Sequence, residues 1–186
     1  MITCKLSHSI LSAWANHQYE QAIGLYLGKP LPATAAMELG SLKDQQWSIY
    51  VDTHKRMPDE LGGEPLDNPI TQQKYQKLLP FSDNIQILLR GVPDIVSGTT
   101  IIDTKCGMTT ANGYIDRMQL SYYKLLLPKA TLGVYVCFNP YLNTYSKGIK
   151  FLDETDAEAA YEHIVTYGGE LIDYLQANRL LKDYAL

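Results

Sequence analysis

The pattern of apolar and polar positions predicts helices over the first part of the chain. Ser7 or Ser9 is placed to cap a first helix, which we expect to continue to about Tyr26. Prolines follow that segment and end it. Thr34 is then placed to cap a second helix that extends through roughly Tyr50.

After Pro80 the pattern predicts a change from helices to strands. A short helix is expected over residues 71–79, ended by Pro80. Residues 86–96 and 100–106 are rich in Ile, Leu and Val and are separated by Ser-Gly-Thr at 97–99. Two such runs around a short polar segment predict a β-hairpin.

The remainder of the chain alternates helix and strand. We expect a helix over residues 114–127, strands over 131–138 and 144–151, and a turn at 139–140. The resulting order, ααα-ββ-α-ββ-α, predicts an α/β (α+β) fold in which helices flank a mixed sheet.

A long C-terminal helix completes the predicted elements. Thr155 and Glu158 have the spacing of a capping box, and apolar residues from Tyr161 to Leu175 follow the helical repeat. Gly168-Gly169 is expected to bend or interrupt this helix.

Composition narrows the class of protein. The chain has 186 residues, 46% of them hydrophobic, and a net charge of −4, which suits one domain over residues 1–186. No run of about 18 apolar residues and no secretory signal is present, so we expect a cytoplasmic protein without a membrane span. The acidic balance argues against coating nucleic acid by bulk charge but leaves a local site possible.

Three charged residues interrupt the strands of the predicted hairpin. Asp94, Asp103 and Lys105 lie in otherwise apolar surroundings, where a charge is costly unless it is paired or binds a metal. Side chains alternate along a strand, so Asp103 and Lys105 point to one face. A turn of two or four residues would bring Asp94 to that face as well, whereas a three-residue turn would reverse it unless a bulge intervened.

Two carboxylates without a nearby histidine or cysteine suit Mg²⁺ or Mn²⁺ better than zinc. Such a metal would stabilise the charge that develops in phosphoryl transfer. Lys105 could position or deprotonate the attacking water, or stabilise that charge. A buried Asp–Lys ion pair without catalytic function is the competing interpretation.

These residues resemble the PD-(D/E)XK nuclease superfamily. Pro93-Asp94 looks like its PD element, and Asp103-Thr104-Lys105 looks like its (D/E)XK element. The RecB-like and lambda-exonuclease-like branch is indicated by three further segments. They are Gln119 to Tyr123, similar to a QxxxY element, the opening segment from Leu6 to Ser12, and the glycine-to-acid segment from Gly40 to Asp44.

One position departs from that pattern. The family usually carries His or Glu where this chain has Asp44, a shorter acid with a different reach. Glu38 is a competing acid on the same predicted helix. Glu38 is six positions before Asp44, which places the two side chains about 240° apart, so both cannot face one metal.

The resemblance implies a restriction-endonuclease-like core, with a central mixed sheet of four or five strands flanked by helices, and Mg²⁺-dependent hydrolysis of DNA. It implies that Asp94, Asp103 and the Thr104 carbonyl bind the metal and that Asp44 adds a ligand directly or through water. Lys105 would then act on the nucleophilic water. Gln119 and Tyr123 would position the substrate or brace the site.

The resemblance also bears on cofactors and partners. Some members of the branch hold an iron–sulfur cluster through four cysteines, but this chain has three, none after Cys137, so no cluster is expected. DNA is the expected partner, with a second copy of the chain or a recombination or helicase protein as further candidates. Two other functions remain open, namely a non-catalytic nuclease-fold binding or regulatory subunit and a structure-specific endonuclease.

Overall fold

The computed structural model describes residues 1–184, so the last two residues of the expected 1–186 domain lie outside the described part. Within that part the chain forms eight strands and five α-helices. In chain order the strands are β1 (Ile2–Ser7), β2 (Ile70–Thr71), β3 (Tyr75–Ser82), β4 (Ile85–Gly91), β5 (Ile95–Ser97), β6 (Thr100–Cys106), β7 (Leu132–Asn139) and β8 (Thr144–Phe151). The helices are α1 (His8–Ala15), α2 (Tyr19–Leu27), α3 (Ala35–His54), α4 (Gln119–Leu126) and α5 (Glu154–Ala177).

The strands form two mixed sheets, which confirms the predicted α/β class. The smaller sheet has the order β1-β4-β3, with β1 parallel and β3 antiparallel to β4. The larger has the order β2-β5-β6-β7-β8, in which β6 and β7 are parallel and the other pairs antiparallel.

The first strand and the short expected helix are where the structure differs most from the sequence prediction. The helix over 71–79 is wrong, because this segment contributes to β2 and β3 instead. Most side chains of β3 are exposed, so the strand lacks the apolar alternation that identifies a half-buried strand. Strand β1 was not predicted, although Cys4 and Leu6 alternate along it and are fully buried.

The single strand expected over 86–96 is two strands in different sheets. β4 ends at Gly91 in the smaller sheet, and β5 begins at Ile95 in the larger one. Between them lies the Val-Pro-Asp segment at 92–94. Pro93 has no amide hydrogen to donate to a sheet, which favours a break at this point.

The other helix predictions were correct in position and partly wrong in their ends. Thr34 caps α3, and Ser7 caps α1, as expected. The first helix is divided at residues 16–18, where His17 adopts a φ of 60° that a helix does not accommodate. Helix α4 begins five residues later than predicted, at Gln119.

The last helix runs without interruption through Gly168. A Cβ at this glycine would lie 3.3 Å from the Leu6 side chain, so the missing side chain permits close packing of α5 on the smaller sheet. The expected cap at Thr155 is wrong. Asp153 caps the helix, in a capping box with Asp156.

Three apolar clusters hold the layers together. One lies between the smaller sheet and helices α1 and α5, and the other two cover opposite faces of the larger sheet. Helix α4 joins two of them, because Tyr122 packs into the first cluster while Leu120 and Tyr123 pack against the larger sheet. This places the start of α4 beside the end of β6, where the charged residues lie.

No helix among residues 1–184 is both long enough and apolar enough to cross a membrane.

Candidate active site

The hairpin of β5 and β6 has a two-residue turn. Ser97 pairs with Thr100, leaving Gly98 and residue 99 in the turn, and Gly98 has a positive φ of 56° that glycine adopts readily. Ile95 pairs with Ile102, so Asp94 lies opposite Asp103 at the end of the hairpin. The register that brings the two acids together is therefore the one observed.

Thr104 contacts the carboxylates of both Asp94 and Asp44. Its backbone amide donates a 2.7 Å hydrogen bond to Asp94 Oδ2. Its hydroxyl lies 3.0 Å from the same oxygen and 3.2 Å from Asp44 Oδ1. Gln72 holds the other side of Asp94, through a 3.1 Å bond from Nε2 to Oδ1. Thr104 thus fixes both acids through its amide and hydroxyl, contacts that the sequence prediction did not include.

Asp103 is held by a different set of contacts. It is only 1% exposed, and its Oδ2 forms an ion pair with the Lys105 ammonium. Gln119 Nε2 donates to Asp103 Oδ1 at 2.8 Å and lies 3.1 Å from the Tyr123 hydroxyl. That hydroxyl donates in turn to the Val92 carbonyl at 3.1 Å. The two residues four apart on α4 therefore connect the buried acid to the segment between the sheets.

Helix α3 brings Asp44, and not Glu38, to these residues. Asp44 contacts Thr104, whereas Glu38 is exposed in the first turn of the same helix. The structure therefore places the acid that the glycine spacing favoured beside the other two.

The three acids, Lys105 and the two residues of α4 line one cavity of about 340 Å³. Its wall includes Asp44, Asp94, Asp103 and Lys105, together with the start of α4. The opening segment from Leu6 to Ser12 also contributes to the wall, through Ser7, His8 and Ser9. Two further cations, Lys74 and Arg90, line the same cavity. Sequence reasoning missed Lys74 because it assigned that segment to a helix away from the sheet.

Lys124 does not line this cavity. It is buried, and its ammonium donates to the carbonyls of Pro128 and Ala130 at 2.7 and 3.0 Å. Lys43 lies over the Phe138 ring and is paired with Glu60 at 3.0 Å. The cations available at the cavity itself are therefore Lys105, Arg90 and Lys74.

The carboxyl groups of the cavity are crowded and poorly solvated. Burial raises the pKa of Asp103 to about 7; Lys105 opposes the rise, and the carboxylates of Asp94 and Asp44 add to it. Burial likewise raises the pKa of Asp44 to about 6, with Asp94 contributing. Burial works to lower the pKa of Lys105, but Asp103 and Asp94 outweigh it and the pKa is raised.

The donor chemistry of the cavity fits a hard divalent cation. Its candidate ligands are carboxylate and carbonyl oxygens, which suit Mg²⁺ or Mn²⁺. The pKa values of Asp44 and Asp103 are raised first by burial and then by the neighbouring carboxylates, and a bound cation would favour the ionised form of both acids. Across residues 1–184, however, no three His, Cys, Asp or Glu side chains form a ready-made metal cluster. Asp44 and Asp94 are turned to Thr104, and Asp103 is turned to Lys105.

Known structures share this fold at low sequence identity. No family model and no curated protein sequence matches the chain. The alkaline exonuclease LHK-Exo from Laribacter hongkongensis is 15% identical with a TM-score of 0.52, and its structure in complex with dAMP is 16% identical with a TM-score of 0.53. Each comparison covers 94% of this chain and 93% of that one.

A candidate exonuclease from Eubacterium rectale has a TM-score of 0.62 at 13% identity, over 98% of this chain and 85% of that one. The fold is therefore that of solved exonuclease structures, which confirms the nuclease-like core expected from the resemblance to the PD-(D/E)XK superfamily.

Proposed function

We propose that this chain is a divalent-metal-dependent nuclease that hydrolyses phosphodiester bonds in DNA, acting as an exonuclease. The observation that carries the proposal is the meeting of Asp94, Asp103 and Lys105 at one cavity, at the end of a buried strand. Asp103 is buried and Asp94 and Lys105 are half-buried, which costs stability, so a fold that retains these three charges together favours a function for them. The shared fold with exonuclease structures supports the same reaction class.

The proposed metal ligands are Asp94, Asp103 and the Thr104 carbonyl, with Asp44 binding directly or through water. Mg²⁺ is the proposed ion, with Mn²⁺ as a substitute. When bound, it would supply Lewis acidity toward the phosphoryl oxygens and lower the pKa of a bound water.

The chain's own side chains hold the reacting groups in place. The Lys105 ammonium lies in the cavity against Asp103, where it either positions the attacking water or stabilises the negative charge on the phosphoryl group. Gln119 holds the Asp103 carboxylate in one orientation, and Tyr123 holds Gln119. Because these two contacts come from a packed helix, they preorganise the acid before substrate arrives.

A protein with a net charge of −4 can still hold DNA locally. Arg90 and Lys74 line the cavity and are placed to contact the phosphates that flank the cleaved bond. The structure of LHK-Exo with dAMP contains a deoxynucleotide, which is consistent with DNA as the substrate class for this fold. We place the reaction in the cytoplasm, with a second copy of the chain or a helicase as candidate partners.

Digestion of end-labelled DNA tests this function. Linear and circular molecules, single- and double-stranded, are incubated with Mg²⁺, Mn²⁺ or EDTA, and the products are separated by length. We expect metal-dependent release of short products from linear DNA and none from circular DNA. Cleavage of circular DNA would replace the exonuclease with an endonuclease. Absence of cleavage of every substrate would contradict the nuclease function.

The second candidate is a non-catalytic DNA-binding or regulatory subunit. It is favoured by one observation on the acids of the cavity. Asp44 and Asp94 are turned to Thr104 and Asp103 is turned to Lys105, and no three His, Cys, Asp or Glu side chains among residues 1–184 form a ready-made metal cluster. Titration calorimetry with Mn²⁺ separates the two. The nuclease requires binding that is lost in Asp94→Asn and retained in Glu38→Gln, whereas the subunit requires no such binding.

A further inference from the structure

A second cavity, of about 710 Å³, adjoins the first. Helix α1, the segment before α4 and helix α5 form its walls. His8 and Gln119 line both cavities, and Gln119 is the residue that donates to Asp103. The second cavity and the candidate active site therefore meet at these two side chains.

Aromatic and imidazole rings form part of the wall between the helices. The rings of His163 and Tyr167 lie 4.5 Å apart, tilted by 50°. Tyr122, buried beneath them, fixes His163 through a 2.9 Å hydrogen bond between its hydroxyl and Nδ1. Tyr122 also meets the edge of His8 at 5.1 Å. The rings are thus held by packed helices, as a stacking surface requires.

The polar groups of the second cavity are neutral for the most part. Asn16, Gln18 and Gln119 present side-chain amides. The amide nitrogen of Gln119 already donates to Asp103 and Tyr123, and that of Asn16 donates to Ser12, so the oxygens of these two amides are offered as acceptors. Arg117 is the cation of the lining and is accompanied by Asp116. Flat rings with amides and little net charge match an uncharged heterocycle better than a phosphate, which needs concentrated positive charge.

We propose that the second cavity holds the nucleobase of a nucleotide adjacent to the cleaved bond, turned out of the base stack and placed against Tyr167 and His163. This inference rests on the nuclease function proposed above, and it adds how the substrate strand is held. A paired base must leave its stack to enter such a cavity. The enzyme should therefore act faster on single-stranded or frayed ends than on blunt, G·C-rich ends.

Abasic substitution tests this placement in the active protein. A set of single-stranded DNA substrates is prepared, each with one base removed at a different distance from the labelled end. We expect cleavage to fall by about 10- to 100-fold when the missing base is at one position relative to the cut bond, given the strength of base–aromatic stacking. An equal effect at all positions, or no effect, would overturn the proposal.

Substitution of the ring connects that effect to Tyr167. Tyr167→Ala should reduce the rate of cleavage of intact DNA by the same factor. On the abasic substrate that wild type cleaves slowly, the substitution should cause no further reduction. Tyr167→Phe, which keeps the ring, should behave like wild type on both. The matched control is Tyr161→Ala, a similarly exposed tyrosine on the same helix that does not line this cavity, and it should also retain wild-type behaviour.

Binding in EDTA gives a readout independent of cleavage. An oligonucleotide carrying 2-aminopurine at the sensitive position should lose fluorescence on binding, because the base stacks, and free 2-aminopurine nucleoside monophosphate should lose less at equal concentration. Equal quenching of the free nucleotide would assign the cavity to released product and overturn the placement of a strand base. This measurement uses wild-type protein, so it decides the matter even if Tyr167→Ala fails to fold.

The two proposals fail in different ways. DNA cleavage without position-dependent abasic effects and without quenching removes the base cavity and leaves the nuclease. Quenching that depends on Tyr167, in a protein that cleaves no DNA, removes the nuclease and leaves a cavity that binds nucleobases.

Discussion

The two halves of strand β6 have the same backbone environment and opposite side-chain chemistry. Both halves pair with β7 in continuous parallel register, from Thr100 to Cys106. In the first half Ile101 and Ile102 are buried in apolar clusters on opposite faces. In the second half Asp103 is as deeply buried, at 1% exposure, but it is ionisable and paired with Lys105.

On the proposed function, this difference separates a half of the strand that serves stability from a half that serves catalysis. Burying Ile101 stabilises the fold by removing apolar surface from water. Burying Asp103 opposes folding when the carboxyl is ionised, as its raised pKa indicates. If that interpretation is correct, substitutions in the two halves should have opposite consequences for stability and for cleavage.

The largest effect is expected in the charged half. Lys105→Ala should reduce the rate of DNA cleavage by about 10²- to 10⁴-fold, because it removes the cation that acts on the water or the phosphoryl charge. Cleavage is measured at saturating DNA with the folded fraction checked by circular dichroism. Lys147→Ala is the matched control, since Lys147 lies on another strand, β8, is similarly exposed and is paired with Glu64. A comparable loss in both variants would contradict a special role for Lys105.

A substitution in the apolar half of β6 should change the stability of the protein and leave its cleavage activity unchanged. Ile101→Ala should lower the free energy of unfolding by about 2–5 kcal/mol, the usual cost of truncating a buried aliphatic side chain. Cleavage per folded molecule should remain within about twofold of wild type. Urea unfolding combined with the digestion assay checks both, and a severe loss of cleavage in a fully folded variant would remove the contrast between the halves.

Acid pH should lower the free energy of unfolding through protonation of His8, which lines the cavity. Burial lowers the pKa of His8 to about 4, with His163 and Lys105 contributing, whereas the unfolded chain has the ordinary value of 6.5. The unfolded state therefore binds a proton that the folded state does not, and stability is lost as the pH falls from about 6.5 toward 4. His8→Gln should remove about 3 kcal/mol of that loss.

Unfolding curves between pH 7 and pH 4 measure this effect. The control is His54→Gln, at an exposed histidine at the end of α3. Parallel pH profiles for wild type and His8→Gln would show that His8 is not held neutral by its surroundings.

The smallest of these effects is expected at Asp44, the position where the nuclease family usually carries His or Glu. Asp44→Asn should lower cleavage by about 10- to 100-fold, the range typical of groups that support a metal site. Glu38→Gln on the same helix should leave it unchanged, because Glu38 is exposed and away from the cavity. The reverse result, with Glu38→Gln impaired and Asp44→Asn active, would assign the metal ligand to the other acid.

The sequence predicted the elements whose burial follows a simple period. β7 and β8 were placed within one residue at each end, and α3 was found from its cap at Thr34. Strand β3 was missed because its side chains face solvent and follow no apolar alternation. The break between β4 and β5 was missed because the sheet to which a strand belongs depends on contacts distant in sequence.

The candidate site divides in the same way. Asp94, Asp103 and Lys105 could be brought together from strand alternation and turn length, since both are local properties. The contact of the Thr104 hydroxyl with Asp44 could not, because α3 approaches β6 across sixty residues of sequence. Lys74 was lost with the segment that was wrongly assigned to a helix.

The most direct test of the central claim is a paired measurement on Asp103→Asn. Its rate of Mg²⁺-dependent cleavage of linear DNA and its free energy of unfolding are compared with those of wild type, in the same buffer near pH 8. We expect cleavage to fall by more than about a hundredfold. We expect the unfolding free energy to be equal or higher, because a buried ionised carboxyl is replaced by a neutral amide. Wild-type cleavage by the folded variant would contradict the claim that this acid is retained for catalysis.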